Sequence, residues 1–385
     1  MSDINMAGAG SAKKSIKIDL RKYMMVMALV IIWIVFTVLT RGSYFTPRNL
    51  TNLFRQAVFT AILATGMFPV IVLGQIDLTV GSIAALAGGL VGMLTTWMGL
   101  PFWFAVAIAL IAGMAVGIWN GFWVAYRGVP AFIATLSSML VFRAVLLGMT
   151  DGITISPMPE ILKGLGAGFL SPVFGYVLAV LACVVMLFIQ WNGRSKKIKM
   201  NLPTSSLIIE IIKTILTVGL LFGFMYMMAS YKGIPVALMI ILILFVIFQY
   251  VFSSTVFGRR IYAIGGNANA CQLAGINIKA STMIVFAMNG VVAAIAGIFL
   301  SSRLNSASSA AASGAELDAI AACVIGGISM LGGIGTISGV MIGALVIQSI
   351  QNGMSLLDTP SFWQNIVKGL VLLVAVWFDI SRKNK

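Results

Sequence analysis

The stretch at 255–281 reads TVFGRRIYAIGGNANACQLAGINIKAS and lies between two long apolar segments. It is polar and rich in glycine, and Arg259 and Arg260 stand near its start. Bilayer hydrocarbon offers no hydrogen-bond partner to exposed backbone groups, so this stretch cannot cross a membrane. We therefore expect a loop at the water face, and its arginines place that face in the cytoplasm.

Within this loop the residues at 267–275 predict a short helix. Asn267 is a good N-cap, Ala270 to Ala274 favour propagation, and Gly275 is suited to end the helix. A short helix on the cytoplasmic end of a membrane bundle suits the docking of a soluble partner. The alternative is a plain connecting loop.

The composition excludes a soluble domain, because 60% of the residues are hydrophobic, 9% are charged and the mean hydropathy is +1.05. The net charge of +15 does not predict a nucleic-acid partner, since most of the 25 Lys and Arg residues lie in segments assigned to the cytoplasm. The chain has no histidine, and its three cysteines are scattered, so we expect neither a metal site nor a disulfide framework. The N-terminus carries no pattern of a cleavable signal.

The pattern of apolar segments predicts an all-α, polytopic membrane helical bundle with roughly 12 spans and both termini in the cytoplasm. A cytoplasmic tail at 1–22 precedes one transmembrane domain at 23–380, and a second tail follows at 381–385. The predicted spans are 23–40, 57–74, 80–98, 102–126, 131–149, 173–191, 207–229, 234–252, 282–300, 316–327, a run from the glycines at 332–335 to residue 350, and 362–379. Residues 41–56 are expected outside, with a short surface helix opening at Pro47.

Two halves of the chain resemble each other. Asp77 precedes the small-residue run of the third predicted span, much as Asp318 precedes the small residues of the tenth. The pair Asn120-Gly121 in the first half is repeated as Asn352-Gly353 in the second. Spans 2–5 and 9–12 start from opposite sides in this topology, so the repeat would be inverted, with a substrate path at its interface. A glycine row at 113, 117 and 121 has a counterpart at 335, 339 and 343. Chance similarity among glycine-rich spans is the alternative.

Several polar residues lie in or beside the predicted spans. Asp77 has three possible roles, which are to line a path, to cap a helix or to pair with a buried arginine, and the cap ranks first. Arg143 lies inside a span, where an arginine normally faces a bundle interior or a watery cavity unless it extends to the interface. The glycine row 113/117/121 predicts close helix packing, and Glu210 is spaced to pair with Lys213.

The motifs quoted so far resemble the sugar permeases of ABC importers of the ribose, galactose and xylose type. Asn269-Ala270-Cys271-x-x-x-Gly275 is similar to their EAA-x-x-x-G coupling loop, with Asn269 in place of the glutamate and Cys271 in place of the second alanine. The xylose or multiple-monosaccharide branch is most similar, through GQIDLTVGS at 74–82, WNGFWVAYRGVPAFI at 119–133, AELDAIAACVIGG at 315–327 and FWQNIVKG at 362–369. A span pair at about 173–231 resembles an insertion of that branch.

The resemblance implies a permease subunit that moves monosaccharides, xylose-like or several, across the bacterial inner membrane, with no enzymatic activity and no cofactor of its own. It implies a homodimer in membrane lipid, two ATP-binding subunits and a periplasmic sugar-binding protein. The expected coupling residues are Arg259, Arg260, Asn267, Asn269, Ala270, Cys271 and Gly275. The expected path residues are Asp77, Thr135, Ser137, Ser138, Arg143, Trp363 and Gln364, with the polar residues of span five nearer the dimer axis than the glycine row.

Two other functions stay open. The chain has no G-x-x-x-x-G-K-[ST] motif to hold ATP phosphates, so active transport needs either a partner subunit or an ion gradient. An ion-coupled secondary sugar transporter would need carboxylates that titrate within the membrane, for which Asp77, Glu210, Glu316 and Asp318 are candidates. A passive channel would need no partner.

Overall fold

The structure, a computed structural model, describes residues 24–200 and 206–383. The predicted tail at 1–22 lies outside the described residues, as do the last two residues of the tail predicted at 381–385. In the described part the chain is almost entirely helical. Its helices are α1 (Met24–Leu39), α2 (Pro47–Val72), α3 (Val80–Gly92), α4 (Phe102–Ala125), α5 (Ala131–Thr150), α6 (Glu160–Ala167), α7 (Pro172–Lys199), α8 (Leu207–Ala229), α9 (Val236–Ser254), α10 (Val256–Gly266), α11 (Ala268–Leu273), α12 (Ile278–Leu304), α13 (Ala315–Ile325), α14 (Ile337–Leu356) and α15 (Ser361–Lys383).

Ten helices in the described residues are long and apolar enough to cross a membrane, one of them being α3 together with the π-helical turn Met93–Trp97 that continues it. The prediction of an all-α, polytopic membrane protein is confirmed. Two of the predicted spans correspond to shorter elements: α1 is an apolar helix of 16 residues, and α13 has only 11. A helix rises about 1.5 Å per residue, so α13 alone is too short for the hydrocarbon core.

The expected loop at 41–56 is wrong in its second half. A helix does begin at Pro47, where Thr46 caps it by accepting the Asn49 amide, but this helix continues without a break to Val72. Pro47 at the first helical turn lacks only an amide that has no intrahelical partner there. The polar residues at 47–56 hide the helix in the hydropathy pattern. The result is α2, the most buried long helix of the bundle.

The centre of the bundle consists of α2, α3 and α12, against which α4 and α14 pack. Helix α4 packs chiefly on α12, and α14 packs on α2. In the same way α3 contacts α4 and α5, and α13 contacts α14 and α15. Each of these contacts therefore has a counterpart when α2 is exchanged with α12, α3 with α13, α4 with α14 and α5 with α15.

The glycine row of α4 packs as the sequence predicts. A Cβ atom at Gly113 would lie 2.6 Å from the Gly290 carbonyl oxygen and 2.7 Å from the Ala294 methyl group. The row thus lets α4 and α12 touch backbone to backbone, which is how small residues stabilise helix pairs in membranes. The predicted counterpart of this row at 335, 339 and 343 does not pack on α12, because Gly339 and Gly343 contact α13 instead.

Helices α7 and α8 form a hairpin that packs mainly on itself. Two short strands, β1 (Phe169–Leu170) and β2 (Ile234–Pro235), pair antiparallel beside it. The predicted Glu210–Lys213 pair is wrong, because the Glu210 carboxylate bonds instead to Arg194 on the facing helix. The carboxylate on α8 thus pairs with an arginine of α7 and not with Lys213 of its own helix.

Candidate functional site

The segment that carries the predicted coupling loop consists of two helices, α10 and α11. Thr255 caps α10 by accepting the Gly258 amide at 3.2 Å, and Asn267 caps α11 by accepting the Ala270 amide at 2.9 Å. Gly275 follows with a φ of +78°, a conformation that favours glycine. The predicted short helix, its cap and its end are confirmed, whereas α10 is a regular helix that the sequence analysis treats as loop.

Helix α10 lies against two breaks in the membrane helices. A Cβ atom on Gly265 would overlap the Val72 carbonyl oxygen and lie 2.6 Å from the Gly333 amide nitrogen. The Gly333 amide in turn donates to the Val72 carbonyl at 2.8 Å. The end of α2, the glycine break before α14 and helix α10 thus meet at one point, where only glycine allows the close approach.

A tyrosine adds a second connection to the same break. The Tyr262 hydroxyl donates to the Gly335 carbonyl at 2.8 Å. Burial raises the pKa of the Tyr262 phenol, so the group stays neutral and remains a hydrogen-bond donor. The segment that leads into α14 is therefore connected to α10 at Tyr262 as well as at Gly265.

The surface of α11 is open. Leu273 is 91% exposed, and the arginines and most of the predicted coupling residues are also exposed, namely Arg259, Arg260, Asn267, Asn269, Ala270 and Gly275. Cys271 is the exception, because it is 7% exposed and packs into the core. Leu273 is missing from the predicted set, although a leucine in a polar, water-facing loop is a signal that could have identified it.

Asp77 lies in the break between α2 and α3 and is completely buried. Its Oδ1 accepts the Thr79 amide at 2.8 Å, and its Oδ2 accepts from Asn289 Nδ2 at 2.8 Å. The N-cap residue of α3 is Thr79 rather than Asp77, so the predicted cap is wrong in position. The described partners of the carboxylate are amide and hydroxyl groups and include no arginine.

Two of the predicted path residues meet at this break. The Thr135 hydroxyl on α5 donates to the Ile76 carbonyl at 3.3 Å, next to Asp77. Ser137 is exposed and Ser138 is buried, and both line a cavity with Trp119 and Trp123 of α4.

The other predicted path residues lie apart from Asp77. Arg143 donates to the Ser309 carbonyl at 2.8 Å, in the loop that follows α12. Trp363 and Gln364 lie at the start of α15, where the Gln364 amide donates to the Thr359 carbonyl at 2.9 Å. The structure therefore brings Asp77 and Thr135 together, but it does not gather the predicted path residues into one site.

A polar cluster outside the predicted site residues connects α13, α14 and α15. The Asp318 carboxylate accepts from Lys368 Nζ at 3.0 Å and from Gln351 Nε2 at 3.1 Å. Lys368 lies within a predicted span, and its charge was the available signal for a buried partner.

These features define a membrane transport subunit, with a bundle of spanning helices, polar groups at their breaks, and an exposed short helix, α11, that follows the helix packed on those breaks, α10. The family described as "Branched-chain amino acid transport system / permease component" matches residues 49–376, and the chain belongs to that family. It is a multi-pass permease subunit of an ABC transporter in the inner membrane and not an enzyme.

Individual relatives match over nearly the whole chain. The xylose transport system permease protein XylH of Haemophilus influenzae is 45% identical over 370 residues, which cover 96% of this chain and 98% of that protein. XylH of Escherichia coli K12 is 41% identical over 379 residues, covering 98% and 96%. The ribose import permease protein RbsC of H. influenzae is 35% identical over 353 residues, covering 91% and 90%. No solved structure matches.

Proposed function

We propose that this permease imports monosaccharides, either xylose-like sugars or several sugars, with energy from ATP hydrolysed by separate subunits. The sugar class is supported by relatives named for xylose and ribose transport at 35–45% identity. The quoted motifs at 74–82 and 362–369 support the xylose-like branch.

One observation carries the energy-coupling part of the proposal. The exposed face of α11 is joined through α10 to the ends of α2 and to the glycines before α14, at Val72, Gly333 and Gly335. A soluble partner that pushes on Leu273 would shift two membrane-helix breaks together. An ion-coupled transporter has no use for such a surface on the water side.

The assembly that follows has two copies of the chain. Each chain supplies one docking helix, and a pair of ATP-binding subunits needs two, so a homodimer is the simplest arrangement. A periplasmic sugar-binding protein would contact the opposite end of the bundle. ATP-driven closure of the two ATPases would then open the path alternately to each side.

The matching neighbours of α2–α5 and α12–α15 support an inverted repeat. We infer a topology of roughly twelve spans with both termini in the cytoplasm, in which α13 is a short span within the bundle. In proteins of this construction the substrate path follows the interface between the repeats near the midplane. Asp77 and Thr135 lie near this interface and are the first path residues to test.

The experiment is sugar uptake into proteoliposomes that contain the permease, with the ATP-binding subunits and the sugar-binding protein added. We expect uptake of labelled xylose to require ATP and both added proteins and to be unaffected by ionophores. Uptake driven by an ion gradient without the ATPase subunits would contradict the proposal in favour of a secondary transporter. Flux in both directions with no partner would indicate a passive channel.

A further inference from the structure

A polar cavity of about 350 Å³ lies between α2, α12, α13 and α14. Its polar lining comes from Gln56, Thr60, Arg303, Ser313, Asp318, Gln348 and Gln351. None of these residues belongs to the predicted path. Pockets for small ligands have volumes of roughly 300–1,000 Å³, so this cavity is large enough for a small polar molecule.

Hydrogen bonds among the lining residues fix part of the wall. Gln348 Nε2 donates to the Thr60 hydroxyl at 2.8 Å and to Gln351 Oε1 at 3.1 Å. Gln351 Nε2 donates to Asp318 Oδ1 at 3.1 Å. Each amide is thereby held in one orientation, and a wall ordered in this way lowers the entropic cost of binding a ligand.

Other lining groups still have hydrogen-bonding capacity. The Nε atom of Arg303 is buried and has no hydrogen-bond partner in the described part of the chain. The side-chain amide of Gln56 likewise makes no hydrogen bond to the described residues. A buried donor without a partner is unfavourable by about 1–3 kcal/mol, so the cavity gains from a ligand that accepts hydrogen bonds.

The mixture of groups defines the chemistry of that ligand. The cavity holds a guanidinium and a carboxylate together with three primary amides, so it offers donors and acceptors in similar number. An anionic ligand would meet Asp318, and a cationic ligand would meet Arg303. A neutral molecule with several hydroxyl groups, each both donor and acceptor, satisfies both kinds of group.

We propose that this cavity is a binding site for a monosaccharide in transit, with Gln56, Gln351 and Arg303 contacting its hydroxyl groups. The inference rests on the proposed function, since it assumes that a sugar crosses this protein. It assigns the sugar contacts to a cavity between the two repeats rather than to the predicted path residues.

The Asp318–Lys368 ion pair forms one boundary of the site. Asp318 and Ser313 also line a second cavity, of about 270 Å³, together with Lys368 and Asn365. The ion pair thus stands between two polar cavities, and a sugar that moves from one to the other passes it. Motion of α15 relative to α13 would open this passage.

The test uses the complete transporter in proteoliposomes and compares Gln56→Ala and Gln351→Ala with the matched control Gln249→Ala. Gln249 lies on α9, away from the cavity. We expect each cavity variant to lower the initial rate of xylose uptake roughly three- to tenfold, the effect of one lost hydrogen bond. ATP hydrolysis stimulated by the loaded binding protein should stay near the parent level, and the control should transport like the parent.

A second measurement identifies direct contact with the sugar. If a variant has lost the group that binds one hydroxyl, a deoxyxylose that lacks this hydroxyl should be taken up at the same rate as xylose, whereas the parent should prefer xylose. Gln56→Ala removes no internal hydrogen bond, so misfolding does not obscure its result. If the parent shows no ATP-dependent uptake, the proposed function fails. If the parent transports and both cavity variants keep its rate and its preference among the sugars, the cavity is not the sugar site.

Discussion

The helices at the centre of the bundle are no more apolar than those of the α7–α8 hairpin, yet the two regions pack in opposite ways. In the most apolar stretch of α2, 89% of the residues are buried, against 0% in α8. Apolar area does not distinguish them, because lipid tails solvate apolar side chains as well as neighbouring helices do. The difference lies in small residues and polar contacts, which the central helices use to approach one another and the hairpin largely lacks.

The glycines show the contrast most clearly. Gly113 touches the backbone of α12, whereas Gly193, Gly219 and Gly223 of the hairpin have nothing within 4 Å of a hypothetical Cβ atom. Glycine in a helix therefore has two meanings in this chain. At the centre it allows contact between backbones, whereas at these three hairpin positions it has no packing role within the described chain.

The largest expected effect comes from replacing a central glycine. Gly113→Val would drive a side chain into the Gly290 carbonyl and the Ala294 methyl group, and backbone atoms cannot move aside cheaply. We expect the free energy of unfolding to fall by about 3 kcal/mol. Unfolding of the detergent-solubilised protein by SDS titration measures this change.

The matched variant is Gly219→Val in α8, where the space is open. We expect a change within about 0.5 kcal/mol. Equal destabilisation by the two variants would contradict the contrast between the centre and the hairpin.

The second comparison concerns carboxylates. Asp77→Ala leaves the Asn289 amide and the Thr79 amide without their buried acceptor, and we expect a loss of about 2 kcal/mol in unfolding free energy. Glu210→Ala breaks a pair whose side chains are 23% and 37% exposed, and we expect a loss of about 0–1 kcal/mol. SDS titration measures both losses of unfolding free energy. A larger loss for Glu210→Ala than for Asp77→Ala would contradict this comparison.

At α11 we expect an effect on sugar uptake rather than a large effect on stability. Gly275→Val places a β-branched residue at φ +78°, with strain of about 1–3 kcal/mol that a shift of the exposed chain can relieve in part. The protein should remain folded while the end of α11 moves, so that sugar uptake falls and ATP hydrolysis continues. Uptake assays in proteoliposomes test this.

Gly266→Val is the control, because Gly266 has no positive φ and nothing within 4 Å of a Cβ atom. It should retain uptake. Equal loss of uptake in both variants would assign the effect to side-chain bulk and contradict the role of the glycine conformation.

The sequence predicts the class of fold and the local structure at 267–275, because hydropathy and capping are local properties. It does not predict α10 as a helix, since Gly265 and Gly266 suggest a loop, and only the contact with Val72 and Gly333 explains Gly265. The helix that begins at Pro47 is missed for a related reason. Its polar first turns lower the hydropathy of a segment that tertiary packing nevertheless buries.

The site residues are harder to predict than the fold. Thr135 bonds to the carbonyl of Ile76, next to Asp77, because α5 packs against the break before α3. The spacing of these residues along the chain does not predict this packing. Gln348 and Gln351 lie in an otherwise apolar helix, but their contact with Asp318 and Thr60 depends on how three helices pack. Cys271 turns inward although its neighbours in the coupling motif face water.

We propose that α11 is the surface on which an ATP-binding subunit acts. Leu273→Asp tests it most directly, because the side chain is 91% exposed and its replacement removes no internal contact of consequence. Ile153→Asp is the control, since Ile153 is 60% exposed and lies far along the chain, just after α5. The measurement is co-purification of the ATPase subunit with the permease, together with xylose uptake. We expect Leu273→Asp to lose both and Ile153→Asp to retain the ATPase. Normal ATPase binding and normal uptake by Leu273→Asp would contradict the account and make this segment a connecting loop.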